Sequence, residues 1–286
     1  MIKNFLIIIL LFFIILSYNY VGNSYASKFS KENLLQTFPE KLESRGQLDP
    51  QLLEQPFSFL GEGAQCYVFA SRDGNYVIKL FKARHFKPQK KWLSEGPLFS
   101  SFVSPAKKKQ SQHKWARKFQ ESCERYVLAF DQLRDETALE FLHLEKSATS
   151  LPVNFQAAGK TYTLDLATLP FILQKKGELV PHTLSKLLEQ GAREAAKEKL
   201  LHLRELLIER ARKGITDPRQ CFSVNFGFIG NKPIQFDVGK ITHDPALDTE
   251  KEIARTTSNL DQWVENHFPE LKEKSGTGTK KKERRN

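Results

Sequence analysis

Between positions 56 and 82, apolar and polar residues exchange places at the period of a β-strand. Pro56–Gly61, Gln65–Ser71 and Tyr76–Lys82 each cluster aromatic and β-branched residues, and Asp73-Gly74-Asn75 supplies turn chemistry between the last two. The pattern predicts three antiparallel strands in succession. Upstream, 28–55 is polar and helix-compatible and reads as a linker or short helix leading into the core. Downstream, 84–118 is rich in Lys, Gln, Ser and Pro and reads as an exposed basic insertion. Gln120–Thr137 follows a helical period, while Leu139–Leu144 and Phe155–Leu173 hold further strand candidates. A helical run covers 183–213, with Leu200, Leu203 and Leu207 on one stripe. Strand-like composition returns at Phe222–Ile229 and Pro233–Val238 around Gly230-Asn231, followed by an amphipathic helix near 257–268 and a disordered basic tail over 271–286.

The first 26 residues follow a different rule. Lys3 precedes the uninterrupted apolar run Phe5–Leu16, and small residues stand at Ser24 and Ala26, where a signal peptidase reads. The expectation is a signal peptide cut after Ala26 and a folded part exported to the periplasm or secreted. The apolar run is short for a membrane-spanning helix, so an uncleaved N-terminal anchor is the alternative.

Composition adds limits. The 286 residues are 40% hydrophobic and include 22 Phe, enough to bury a core as one large domain or two small lobes, which excludes a disordered chain. Lys and Arg outnumber Asp and Glu by 44 to 33, a formal charge of +11 that favours anionic partners. Cys66, Cys123 and Cys221 are far apart, odd in number and outside any CxxC or zinc spacing; three buried thiols are expected rather than a disulfide framework.

Candidate chemistry begins at Gly61-Glu62-Gly63, between the first two strands. Glycine leaves the backbone open to close approach by phosphate oxygens. Lys79 stands in the middle of "YVIKLF", where an unpaired ammonium among apolar neighbours is costly, so a partner is expected. Strand alternation puts Val77 and Phe81 on the lysine's face, which argues against a solvent-facing edge. Later, 211–241 brings Asp217, then Asn225 between apolar residues, a hairpin, and Asp237-Val238-Gly239.

In this order the residues resemble the protein-kinase-like superfamily: Gly61 and Gly63 of a glycine loop, Val68 after it, and "VIK" at Val77–Lys79. Cys66 stands where a third loop glycine is usual. The resemblance implies an α+β, bilobal kinase-like fold with an antiparallel-sheet N-lobe (56–180) and a reduced, mainly helical C-lobe (181–270), compact in the manner of RIO-type kinases. It implies ATP and Mg2+ as cofactors. Gly61, Gly63, Val68, Val77 and Lys79 would line the nucleotide, with backbone near Gln174–Lys176 facing adenine. A glutamate on the following helix would align Lys79, with Glu121 and Glu124 as candidates and Glu124 preferred from its distance to the next strand. Asn225 and Asp237 would hold the metal, and Asp217 would position a hydroxyl acceptor. Asn225 follows Asp217 by eight positions where the family has five, and Ile215-Thr216 replaces the usual His-Arg.

Two classes of function follow from the resemblance. One is an exported ATP-dependent phosphotransferase acting on an unknown protein or small-molecule acceptor. The other is a secreted pseudokinase serving as a binding module or host-directed effector, favoured by the Asp217 spacing and the missing third glycine. Nucleic-acid binding ranks below both, because the Lys runs are interleaved with aromatics only at Trp92 and Trp115 and no recognition motif is present. Membrane contact is expected only through an uncleaved N-terminal segment.

Overall fold

The computed structural model describes residues 29–86 and 105–272, with side chains placed except over 105–112. The signal-peptide reading at 1–26, the centre of the basic insertion and all but the first two residues of the tail lie outside these residues. The chain is mixed α+β and divides into two compact units. One holds the described residues up to Gly177 together with Asp237–Thr242, and the other holds Glu178–Phe236 with the described residues from His243 onward.

The first unit is built on a seven-stranded sheet in the order β4-β7-β3-β2-β1-β5-β6. Its strands are β1 (Phe57–Glu62), β2 (Cys66–Ser71), β3 (Tyr76–Phe81), β4 (Leu139–His143), β5 (Pro152–Ala157), β6 (Lys160–Asp165) and β7 (Phe171–Lys175). The predicted strands β1, β2 and β3 pair antiparallel in succession. The sheet is nevertheless mixed, a correction to the purely antiparallel expectation: β5 runs parallel to β1, pairing Phe57 with Phe155. Alternation sorts the side chains, and Phe57, Tyr67, Phe69, Ile78, Leu80, Phe155, Phe171 and Leu173 share one apolar core. Each of these fully buried side chains contributes about 1.5–3 kcal/mol of transfer free energy.

That core is closed by Phe29, Leu34 and Leu53. The linker-or-helix expectation for 27–55 is therefore corrected. The segment has short 3-10 turns but no α-helix, and it is stitched to the sheet by the bridges Leu34 to Lys82 and Arg45 to Leu142. Its apolar residues are too widely spaced to show a period, so the sequence pattern did not reveal their burial.

The opposite face of the sheet carries helix α2 (Pro105–Gln132), preceded by the short α1 (Ala83–Phe86) and followed by α3 (Arg134–Thr137). Phe119, Cys123, Tyr126, Phe130 and Leu133 recur at spacings of four and three and are buried, with Phe81 at 5.2 Å from the Phe119 ring and 6.0 Å from that of Tyr126. Helix α2 thus begins well inside the stretch expected to be an exposed insertion; over 113–118 only Trp115 and Lys118 are half-buried and the other side chains are exposed.

The second unit contains α4 (Val180–Glu189), α5 (Arg193–Arg212) and α6 (Thr249–His267) around a sheet of β8 (Glu178–Leu179), β10 (Phe226–Ile229) and β11 (Lys232–Gln235); β9 (Ile215–Thr216) follows α5. Its core joins Val180, Leu184, Leu203, Leu207, Phe226, Phe228, Leu260 and Val264. The single helical run read over 183–213 is two helices. Gly191 takes φ +70° between them, and the Gly191 and Ala192 amides close onto the carbonyls of Leu188 and Leu187. Helix α6 starts at Thr249, ahead of the expected 257, because Asp248 caps it by accepting from the Lys251 amide. Of the three cysteines, Cys66 and Cys123 are buried, whereas Cys221 is exposed, against expectation; all are free thiols. Among the described residues no helix is long and apolar enough to cross a membrane.

Candidate functional site

Lys79 lies on β3 between β2 and β7, opposite Val68 on one side and Ile172 on the other. Pleating sends it, with Val77 and Phe81, toward α2 and away from the main core. Only 8% of it is exposed. Burial pushes its ammonium pKa down, and the Asp237 carboxylate draws it back up. Cys66 adjoins this pair, but burial pushes its thiol up to about 12, so it is a neutral packing group rather than a nucleophile.

Asp237 is exposed, while Val238 and Gly239 behind it are buried. Its Oδ1 accepts the Gly239 amide at 2.8 Å, which fixes the turn and leaves Oδ2 outside that bond. A Cβ at Gly239 would stand 2.9 Å from Gln65 Nε2 and 3.0 Å from Asp237 Oδ1, so the ends of these two side chains would have to shift to admit it. Gln65 in turn accepts from Ser122 Oγ at 2.6 Å, tying the β1–β2 connection to α2.

The glycines of that connection obey a different logic. Neither Gly61 nor Gly63 has a positive φ, and a Cβ at either would meet no heavy atom within 4 Å. The fold does not require glycine at these two positions. The loop is pinned from within the unit. Buried Lys82 donates to Glu62 Oε2 at 2.9 Å and to the Gly63 carbonyl, Arg84 donates to the same Glu62 oxygen at 2.7 Å, and Gly63 donates to the Cys66 carbonyl at 3.0 Å. Glu62, Gln65 and Lys82 are contributors that the sequence pattern did not single out. Their only signal there is an acid between the two glycines and a second lysine at the end of the same strand.

Glu124, expected beside Lys79, lies instead on the exposed side of α2, accepting from Gln120 Nε2 at 3.1 Å; Glu121 pairs with Arg117 and Arg125. The inward positions of the helix are Ser122, Cys123 and Tyr126. Asp237 is the carboxylate that acts on Lys79. Val68 is half-buried and paired with both Gly61 and Lys79, and Val77 is buried opposite Ala70 and Gln174. The amides of Lys175 and Lys176, expected to face adenine, already donate to Ala138 and Asn75 carbonyls.

In the second unit, Asp217 is 1% exposed. Its Oδ1 accepts the Arg219 amide at 3.0 Å and its Oδ2 accepts Gln235 Nε2 at 2.9 Å. Gln235 relays to Arg210, whose Nη1 donates to Gln235 Oε1 at 2.9 Å and whose Nη2 reaches Thr256 Oγ1 at 3.3 Å. Burial lowers the Arg210 pKa to about 10 against the opposing pull of Asp217 and Glu252. Asn225 is half-buried at the entry to β10; its amide donates to the Cys221 carbonyl and its carbonyl accepts from Phe236, the residue before Asp237. Among the described residues no three His, Cys, Asp or Glu side chains converge on a point that could cage a metal ion.

No family model and no curated protein sequence matches the chain. Solved structures that are similar to it include WbdD, described as a bifunctional kinase-methyltransferase, at 13% identity and TM-score 0.36, over 82% of this chain and 40% of that one. A second WbdD structure matches at 12% identity and TM-score 0.37, over 78% of this chain and 37% of that one. A complex of Rv3197 with erythromycin from Mycobacterium tuberculosis matches at 16% identity and TM-score 0.34, over 68% of this chain and 48% of that one. The chain thus spans less than half the length of each. At these TM-scores the likeness carries no argument about chemistry.

Proposed function

We propose that the chain is a kinase-like protein that binds magnesium-ATP and transfers its terminal phosphoryl group to a hydroxyl acceptor. One observation carries the reading: a lysine buried in the middle of a central strand is charge-matched by an exposed aspartate held in an Asp-Val-Gly turn. A stable core has no need of a buried ammonium. The glycine loop supports the same reading, since neither conformation nor packing calls for glycine at Gly61 or Gly63, whereas close approach of phosphates does.

The donor set fits the implied cofactor. Lys79 offers a point charge to phosphate oxygens, and Asp237 offers a carboxylate to a hard cation that keeps most of its waters. Asn225 is the proposed second metal ligand, 12 positions before Asp237 in the sequence. Bound magnesium would supply neutralisation of phosphate charge. Lys79 would orient the phosphates, and the backbone of Gly61–Gly63 would cover them. Export of the folded part after Ala26 belongs to the same proposal, as does an acceptor met outside the cytoplasm.

The second reading, a pseudokinase, is favoured by Asp217, whose two carboxylate oxygens are both engaged inside a buried network. Calorimetric titration of magnesium-ATP into the full chain, with ADP release followed in parallel, separates the two. Binding with turnover supports the transferase, whereas binding without turnover, or no binding in a folded protein, favours the pseudokinase. Lys79→Met is expected to abolish the binding.

A further inference from the structure

Beside the glycine loop, the first unit gathers cations from three segments of chain. His85 of α1 stacks edge-on against Phe86 at 4.7 Å between ring centroids. Lys118 of α2 donates to the His85 carbonyl at 3.2 Å and lies 4.9 Å above the Trp115 ring and 5.8 Å from that of Phe86. Lys114 precedes Lys118 by one helical turn, and Lys240 follows the Asp-Val-Gly turn. None of Lys114, Lys118 and Lys240 forms an ion pair among the described residues, and the nearby Glu62 is already bonded to Lys82 and Arg84.

Like charges held this close repel. His85 is pushed down to about 4, by burial first and then by Lys118, Lys82 and Lys240; Lys118 is lowered by burial and by Lys240 and Lys114. Lys118 and Lys240 act on the partly buried imidazole and Lys114 acts on Lys118, so positive potential adds up over this surface.

We infer that His85, Lys114, Lys118 and Lys240 form a binding site for a phosphate-bearing anion, soluble or presented as a lipid headgroup. Ammonium groups suit it as separate point donors around a tetrahedral multianion, and Trp115 and Phe86 hold Lys118 in place through its cation–π contacts. The inference is independent of the nucleotide reading.

The test is an NMR titration of the His85 ring in the full chain, with His85→Gln to assign the signal. Inorganic pyrophosphate and vesicles of phosphatidylcholine containing phosphatidic acid are the two probes, and sodium chloride at equal ionic strength is the blank. Occupancy by an anion raises the His85 midpoint from about 4 by roughly one unit or more relative to the blank. A rise with pyrophosphate supports a soluble phosphoanion, and a rise with vesicles alone supports a headgroup. The response is lost in Lys118→Glu/Lys240→Glu at unchanged melting temperature, while Lys79→Met retains it, which separates this site from the nucleotide site. A midpoint that moves with neither probe, or moves equally in the double variant, overturns the inference.

Discussion

Each unit of the molecule sets a buried cation, Lys79 in the first and Arg210 in the second, against an aspartate, yet the two arrangements differ in how far the aspartate is exposed. In the second unit Arg210 and Asp217 are both buried and joined through Gln235, with Thr256 and the Arg219 amide taking further valences. In the first, Lys79 is buried but Asp237 is exposed, with one oxygen held by Gly239. A buried network of the first kind, in which only Arg210 Nε lacks a partner among the described residues, fixes structure. An arrangement of the second kind leaves the carboxylate at the surface while the ammonium stays buried.

The comparison breaks most visibly at Asp217. Asp217→Ala removes one of the two carboxylates that act on buried Arg210 and strips Gln235 Nε2 and the Arg219 amide of their acceptor, and is expected to cost about 3–5 kcal/mol in urea unfolding. A loss below about 1 kcal/mol would show that the network is not structural. Lys79→Met has the opposite sign. Removing a buried ammonium whose partner reaches solvent leaves stability unchanged or raises it by up to about 4 kcal/mol, while the response to magnesium-ATP disappears. The pH dependence follows from the lowered Lys79 pKa. The unfolded chain holds this proton more tightly, so the penalty of the buried charge is released as pH rises through the folded value toward 10.5. Wild-type stability therefore gains on Lys79→Met over that alkaline window.

Glycines sharpen the contrast further. Gly227→Ala would bring a Cβ within 2.2 Å of the Glu178 carbonyl and is expected to cost about 1–3 kcal/mol. Gly61→Ala and Gly63→Ala meet open space and should change stability by no more than about 0.5 kcal/mol, while weakening nucleotide binding. Equal losses of stability at all three positions would remove the functional reading of the loop. A pH-linked effect is expected at His85. Its depressed pKa means that the unfolded chain binds its proton first, so stability falls as pH drops from 6.5 toward 4. His85→Gln should flatten that segment of the acid-unfolding profile.

Much of the first unit was legible because aromatic and β-branched residues cluster in short runs over 57–81 and the turns carry their usual residues. Lys79 stood out for a physical reason, as a charge inside an apolar run. The linker reading of 27–55 failed because Phe29, Leu34 and Leu53 make long-range contacts that leave no period in sequence. Glu124 was chosen by distance along the chain, whereas helical phase decides which side chain faces the sheet, and Ser122 and Tyr126 hold those positions. Gln235 and Arg210 are separated from Asp217 in the chain, and nothing local marks the network that joins them.

The central claim is that Lys79 and Asp237 serve a nucleotide with its metal. The most direct measurement is thermal unfolding of the full chain with and without magnesium-ATP, beside Asp237→Ala. The account predicts a magnesium-dependent stabilisation, about 2.7 kcal/mol at a hundredfold excess over Kd, that the variant lacks. A folded wild-type protein that shows no shift, or an Asp237→Ala variant that shifts as much as wild type, would contradict it.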